Sequence, residues 1–218
     1  SRLGTTQKFE LYENGVTVFE DINLQRTALN PDQVLQVTSE LNQTSFIDKP
    51  KLKNFMEDLN YPLYFLDFET MGTAIPIFDN SRPYQQLVFQ YSLHIQNEAN
   101  DVTHREYLAE AHPNHDPREA FIKQLISDCG DTGDILVYNI GFERGKLNDL
   151  ITVYPHYEND INNIINRLKD LMIPFQQKWY YTPEMKGSYS IKAVLPALVP
   201  QLSYQDLEIQ EGGTASNT

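Results

Sequence analysis

The sequence predicts an α/β fold: a mixed sheet flanked by helices, preceded by a small appendage of one hairpin and two helices. Three observations carry this. Three strand-like runs follow one another as a meander between residues 63 and 109. Helical patterns then alternate with one short buried strand, an order that suits a mixed sheet with helices on both faces. The pattern also changes at Asn60-Tyr61-Pro62, which divides an appendage, 1–60, from a main domain, 61–218.

In the appendage, residues 8–20 alternate apolar and polar around Asn14-Gly15. That dipeptide suits a tight turn with positive φ at both positions, so a hairpin is expected. Asn30 and Pro31 are N-cap and first residue of a helix reaching Leu41. A second helix is expected from Asp48 or Pro50 to Leu59.

In the main domain, strands are expected over 63–69, 86–96 and 102–109, the last two joined by a short polar turn and so antiparallel. Asp116 caps a helix over 117–127 whose Phe121, Leu125 and Ile126 share a face. Residues 134–138 read as a short buried strand, and a helix starts at Gly141 or Phe142 and ends at Val153. The helical spacing of Ile161, Ile164, Ile165 and Leu168 extends a further helix over 157–171. A last helix starts near Ser190 and stops before Pro200.

Composition narrows the class. With 40% hydrophobic and 11% aromatic residues, the chain has material for a sizeable core. The longest apolar stretch, 63–66, is far too short to span a bilayer, and the first residues lack the apolar core of a signal peptide. The single cysteine, Cys129, fits a reducing cytoplasm and reads as a small buried residue near a helix end. The net charge of −13, from 17 basic and 30 acidic residues, is the wrong sign for a broad phosphate-neutralising surface. It is compatible with carboxylates gathered around cations.

The sharpest local signal is Tyr64-Phe65-Leu66-Asp67-Phe68-Glu69-Thr70. Alternation puts Asp67 and Glu69 on one side of the strand, at its C-terminal end, where open α/β sheets place ligands. Two such carboxylates repel unless a cation or proton lies between them, and Mg²⁺ or Mn²⁺ prefers all-oxygen ligands. The plainer account is two solvated acids at a strand mouth. The apolar run ahead of them weighs against it, because it implies a central, doubly covered strand where stray charge is expensive. The second signal, Asn139-Ile140-Gly141-Phe142-Glu143, leads from a buried strand into a helix with Glu143 in its first turn. Taken alone it is explained by helix-start chemistry, Asn as turn former and Glu favoured near the positive helix terminus.

Together the two motifs resemble the DEDD exonuclease superfamily. Its first motif is a strand ending in Asp-x-Glu, and its second commonly reads Asn-x-x-Phe-Asp. The wording over 187–198 is similar to a bacterial branch called domain of unknown function 2779. The resemblance covers residues from Pro62 to the C-terminus. It implies an RNase H-like fold and a two-metal, 3′→5′ exonuclease-like nuclease that hydrolyses phosphodiester bonds, with Asp67, Glu69 and Glu143 as catalytic metal ligands for Mg²⁺ or Mn²⁺. Thr70, Asn139, Phe142, Tyr189 and Lys192 are then candidate substrate contacts, and nucleic acid, DNA or RNA, is the partner.

The sequence departs from the pattern twice. Glu143 stands where Asp is usual, and the late Tyr-x-x-x-Asp has only Tyr204 and Glu208 as its counterpart. Residues 212–218 read as a loop leading into a further helix, so the fourth carboxylate is expected beyond residue 218, in a longer multidomain chain.

Weaker candidates have plainer explanations. Lys192 is more simply a solvated helix lysine, Trp179, Tyr180 and Tyr181 are core aromatics, and Asp170 is a surface acid at a helix C-terminus. The five histidines lack ligand spacing. The competing functions are a catalytically inactive RNase H-like module for nucleic-acid or protein binding and, more remotely, a glycoside hydrolase using two carboxylates without metal.

Overall fold

A computed structural model describes residues 3–24, 27–110 and 116–202. The chain divides into two units: the described residues up to Glu57 together with those from Met172 on, and Asp58–Leu171. The first break lies close to Asn60. The grouping nevertheless differs from the expected division into 1–60 and 61–218, because the later segment returns to the N-terminal unit.

The first unit begins with α1 (Thr5–Glu13), where a hairpin was expected. Asn14-Gly15 ends this helix: the Gly15 N–H donates to Tyr12 O and the Val16 N–H to Leu11 O, with Gly15 at φ +77°. Positive φ serves a helix stop as well as a hairpin turn, and Phe9, Tyr12 and Val16 also fit helical spacing, so short alternation did not discriminate. Helix α2 (Pro31–Asn42) follows the expectation. The Asn30 side chain accepts the Gln33 N–H while Gln33 accepts the Asn30 N–H, both at 2.9 Å, a reciprocal capping box. A two-residue strand β1 (Phe46–Ile47) and α3 (Lys49–Glu57) complete the N-terminal part.

The second unit is built on a five-stranded sheet. Strand β2 (Leu63–Met71) pairs antiparallel with β3 (Leu87–Gln96), which pairs antiparallel with β4 (Val102–Leu108). After α4 (Arg118–Cys129), β5 (Asp134–Val137) lies parallel to β2. Helices α5 (Ile140–Val153) and α6 (Glu158–Asn166) then lead to β6 (Leu168–Asp170), parallel to β5. The strand order is β4-β3-β2-β5-β6. The expected helix over 157–171 therefore ends early. Its apolar face supports only Ile161 and Ile164 as buried helical positions, and Leu168 is buried instead as the first residue of a strand. The Arg167 side chain fastens the break, donating to the carbonyls of Cys129, Gly130, Thr132 and Gly133.

The start of β5 is locked beside β2. The Asn60 N–H donates to the Asp134 carboxylate and the Asp134 N–H to Asn60 O, each at 2.8 Å. Gly133, at φ +86°, is pressed against Pro62, where a Cβ would collide with backbone. One core joins Leu66, Phe68, Tyr91 and Leu93 of the sheet to Phe121, Leu125, Leu147, Leu150, Ile161 and Ile164 of α4, α5 and α6. Cys129 belongs to this core, and burial pushes its thiol up to about 12. Strand β2 is central in order but not doubly covered, since Phe65 and Asp67 on its other face are exposed.

Returning to the first unit, α7 (Ile173–Gln176) and β7 (Tyr180–Tyr181) precede α8 (Ile191–Leu198). Strand β7 pairs antiparallel with β1, Phe46 opposite Tyr181. Tyr181 is fully buried among Met185 and Val194, donates its hydroxyl to Glu40 at 2.7 Å, and so packs as expected. Among the described residues, no helix is long and apolar enough to cross a membrane.

Candidate functional site

Asp67 and Glu69 project from the open face of β2, while Leu66 and Phe68 between them enter the core. The alternation that the sequence displays thus separates the acids from the apolar residues. The pairing with β3 slips between Glu69 and Thr70, a bulge that puts half-buried Thr70 immediately beyond the acids. Across the sheet, Asp67 is level with Ser92 and Glu69 with Gln90. Desolvation by the surrounding protein raises the pKa of Asp67, partly opposed by the Phe68 N–H. Glu69 is raised by the same cause, and further by the charge of Asp67.

Glu143 comes from the first turn of α5, at the C-terminal end of β5. It is 2% exposed, and its Oε2 has no hydrogen-bond partner among the described residues. Burial pushes its carboxyl up to about 7, and the charges of Asp67 and Asp170 push in the same direction, against its own backbone N–H. The helix therefore brings Glu143 into the electrostatic field of Asp67 on β2. Phe142 beside it packs on the core, with Lys146 Nζ 5.9 Å from its ring centre.

The start of α5 is held in an unusual way. Asn139 adopts a left-handed conformation, φ +75°, and its side chain caps nothing. The cap comes from β6: the Asp170 carboxylate accepts the N–H groups of Asn139 and Ile140, at 3.0 and 3.1 Å. Asp170 is buried, 6% exposed, not a surface acid at a helix end. The helical spacing that would place Asp170 at a helix end breaks off four residues before it, at Asn166 where α6 stops. The signal available was the short run Leu168-Lys169-Asp170, too brief to register as a strand by alternation.

The charge of Asp67 acts on both Glu69 and Glu143, and that of Asp170 on Glu143, but the four acids do not form a closed cage. Among the described residues, no three Asp, Glu, His or Cys side chains are gathered tightly enough to hold a metal ion as they stand. Asp67, Glu69 and Glu143 are the residues with carboxylate oxygens to offer; Asp170 has its oxygens engaged by backbone N–H groups.

Tyr189 and Lys192 belong to the other unit, Tyr189 just before α8 and Lys192 in its first turn. Tyr204 and Glu208 lie outside the described residues, as do His112 and His115. His94 and His104 face each other across β3 and β4 with ring centres 4.4 Å apart, and His104 Nε2 lies 3.0 Å from Ser92 Oγ. His156 packs against Tyr157.

A family model described as "Domain of unknown function (DUF2779)" matches residues 64–190. The uncharacterized protein UU173 of Ureaplasma parvum is 31% identical over 169 residues, which cover 68% of this chain and 24% of that protein. The uncharacterized protein MG366 homolog of Mycoplasma pneumoniae is 27% identical over 183 residues, 76% of this chain and 27% of that protein. The matched region is thus about a quarter of these relatives' length. No solved structure matches.

Proposed function

The chain belongs to the DUF2779 family, and on that premise we propose that it is a divalent-metal-dependent nuclease domain of RNase H-like fold, similar to the DEDD exonucleases and hydrolysing phosphodiester bonds. One observation carries this reading: a buried glutamate with an unpartnered oxygen, Glu143, stands in the field of Asp67. A buried carboxyl without a partner is costly to ionise, and a hard cation between it and the β2 acids would reverse that cost. The antiparallel meander followed by two parallel strands also supports it, since it sets the two motifs side by side.

Asp67, Glu69 and Glu143 would hold Mg²⁺ or Mn²⁺, two ions in the complete site. When bound, these ions supply an acidified water and charge stabilisation at the departing oxygen. The chain itself contributes orientation. The core fixes β2 through Leu66 and Phe68, and Asp170 fixes the left-handed entry to α5. Thr70 and Asn139 flank the acids and are the nearest candidates for substrate contact.

Labelled DNA and RNA oligonucleotides incubated with Mn²⁺ test the reading directly. Cleavage by the wild type is expected, with a loss of at least about a hundredfold in Asp67→Ala and in Glu143→Gln. Cleavage equally fast in the variants would come from elsewhere and would remove the assignment.

A second reading has its own support. The acids are not gathered tightly enough to enclose an ion, and Glu replaces the usual Asp at 143. Both features suit a catalytically inactive module that keeps the fold for nucleic-acid or protein binding, and such a module would be indifferent to Mn²⁺.

A further inference from the structure

Residues 72–86 link β2 to β3 and begin where the acid-bearing strand ends. Glu69 is three residues before Gly72, on the order of 10 Å along the strand. The segment is a loop with a closed neck. The Tyr84 N–H donates to Thr73 O at 2.8 Å, and a Cβ on Gly72 would lie 3.5 Å from Gln85 O and 3.6 Å from Tyr84 O. It is also tied from within and from below. Thr73 Oγ1 donates to Ile75 O at 2.7 Å, the Arg82 N–H to Gln85 Oε1 at 3.1 Å, and Arg118 Nη2 to Asp79 O at 2.7 Å.

On this fastened frame Tyr84 is 75% exposed and adopts φ +59°, the left-handed region that an aromatic residue rarely occupies. Such strain persists only where the surroundings impose it, and it concentrates at functional positions. Arg82, two residues earlier, is also exposed and forms no ion pair among the described residues. Pro83 between them limits the backbone freedom of the pair.

Charge decides what such a pair can hold. At −13 the chain repels a polyanion at long range, so a nucleic acid must be retained by short-range contacts. Base stacking on an aromatic ring is insensitive to net charge, and one arginine adds a local phosphate contact. In a duplex the base faces are already stacked, whereas an unpaired end presents one.

We propose that Tyr84 and Arg82 hold a single-stranded nucleic-acid end on the loop that follows the acid-bearing strand, Tyr84 by stacking on a base and Arg82 by pairing with a backbone phosphate. This rests on the nuclease reading for its setting, but its residues are separate from Asp67, Glu69 and Glu143.

The test is binding of a fluorescein-labelled oligothymidylate, and of the same strand with abasic residues at both ends, to the full chain in Ca²⁺ over a range of salt. The wild type is expected to prefer the strand with bases. Tyr84→Ala weakens that binding by about tenfold to a hundredfold and erases the preference, whereas Tyr84→Phe retains both. Arg82→Ala reduces the slope of log affinity against log salt by about 0.7, the contribution of one phosphate contact on a single strand. Wild-type affinity unchanged in Tyr84→Ala, no preference over the abasic strand, or no binding at all overturns the proposal. Mn²⁺-dependent cleavage that survives in Tyr84→Ala with KM unchanged sinks this inference and leaves the nuclease reading standing. Tyr84-dependent binding in a protein without Mn²⁺-dependent cleavage does the reverse.

Discussion

Glu143 and Asp170 are both buried carboxylates at the start of α5, and the protein treats them differently. Asp170 reaches across from β6 and accepts two backbone N–H groups from the left-handed entry to the helix. Glu143, on the helix itself, leaves Oε2 with no partner among the described residues, and its carboxyl is pushed up to about 7. The first acid is structural, with both carboxylate oxygens accepting backbone N–H groups. The second is tolerated by the fold chiefly in its neutral form. Buried polar atoms are rarely left unsatisfied, and on the nuclease proposal the open Oε2 of Glu143 is the one a cation would take up.

Removing the satisfied acid should produce the largest change. Asp170→Ala abandons two N–H donors and the cap of α5 together, a cost of about 3 kcal/mol, read as a lower urea midpoint. A loss below about 1 kcal/mol would place Asp170 with ordinary surface acids and dissolve the contrast.

Removing the unsatisfied acid should act in the opposite direction and only above acid pH. In the unfolded chain Glu143 ionises near the ordinary glutamate value of 4.5, whereas burial in the folded chain pushes it up to about 7. The folded state therefore binds more protons between those values, and this group's contribution to stability falls as pH rises from 4.5 to 7, then levels. Glu143→Gln should be more stable than the wild type at pH 8, by on the order of 3 kcal/mol, and nearly equal to it at pH 4. Urea unfolding at the two pH values checks this, and a glutamine variant less stable at pH 8 would contradict it.

The smallest expected effect leaves the carboxylates alone. Tyr84→Gly relieves the left-handed backbone of the loop after β2 and should raise stability by about 1 kcal/mol at every pH. A thermal melt with a pH-independent gain separates this conformational strain from the electrostatic strain at Glu143.

How much of this was legible depended on whether a pattern was local. The capping box at Asn30 and Gln33, the meander over β2, β3 and β4, and the shared side of Asp67 and Glu69 all follow from turn chemistry or alternation within a few residues. Residues 8–20 misled because Asn14-Gly15 supplies positive φ to a helix stop and a hairpin alike. Strand β6 was hidden because Leu168 continues the helical spacing of α6, and only pairing with β5 makes it a strand. Asp170 was lost with it, since its meaning comes from N–H groups about thirty residues away. The open face of β2 was equally invisible: the apolar run 63–66 looks doubly covered, whereas Phe65 is exposed.

Whether Asp67, Glu69 and Glu143 form a divalent-cation site is answered by calorimetric titration of Mn²⁺ into the wild type at pH 6 and pH 8, beside Asp67→Ala and Glu143→Gln. Saturable binding is expected in the wild type, tighter at pH 8, with release of close to one proton at pH 6 because Glu143 must ionise. That binding should be lost or strongly weakened in Asp67→Ala, and weakened and independent of pH in Glu143→Gln. No binding to the wild type at either pH, or binding that both variants retain unchanged, would mean that these three acids do not form such a site.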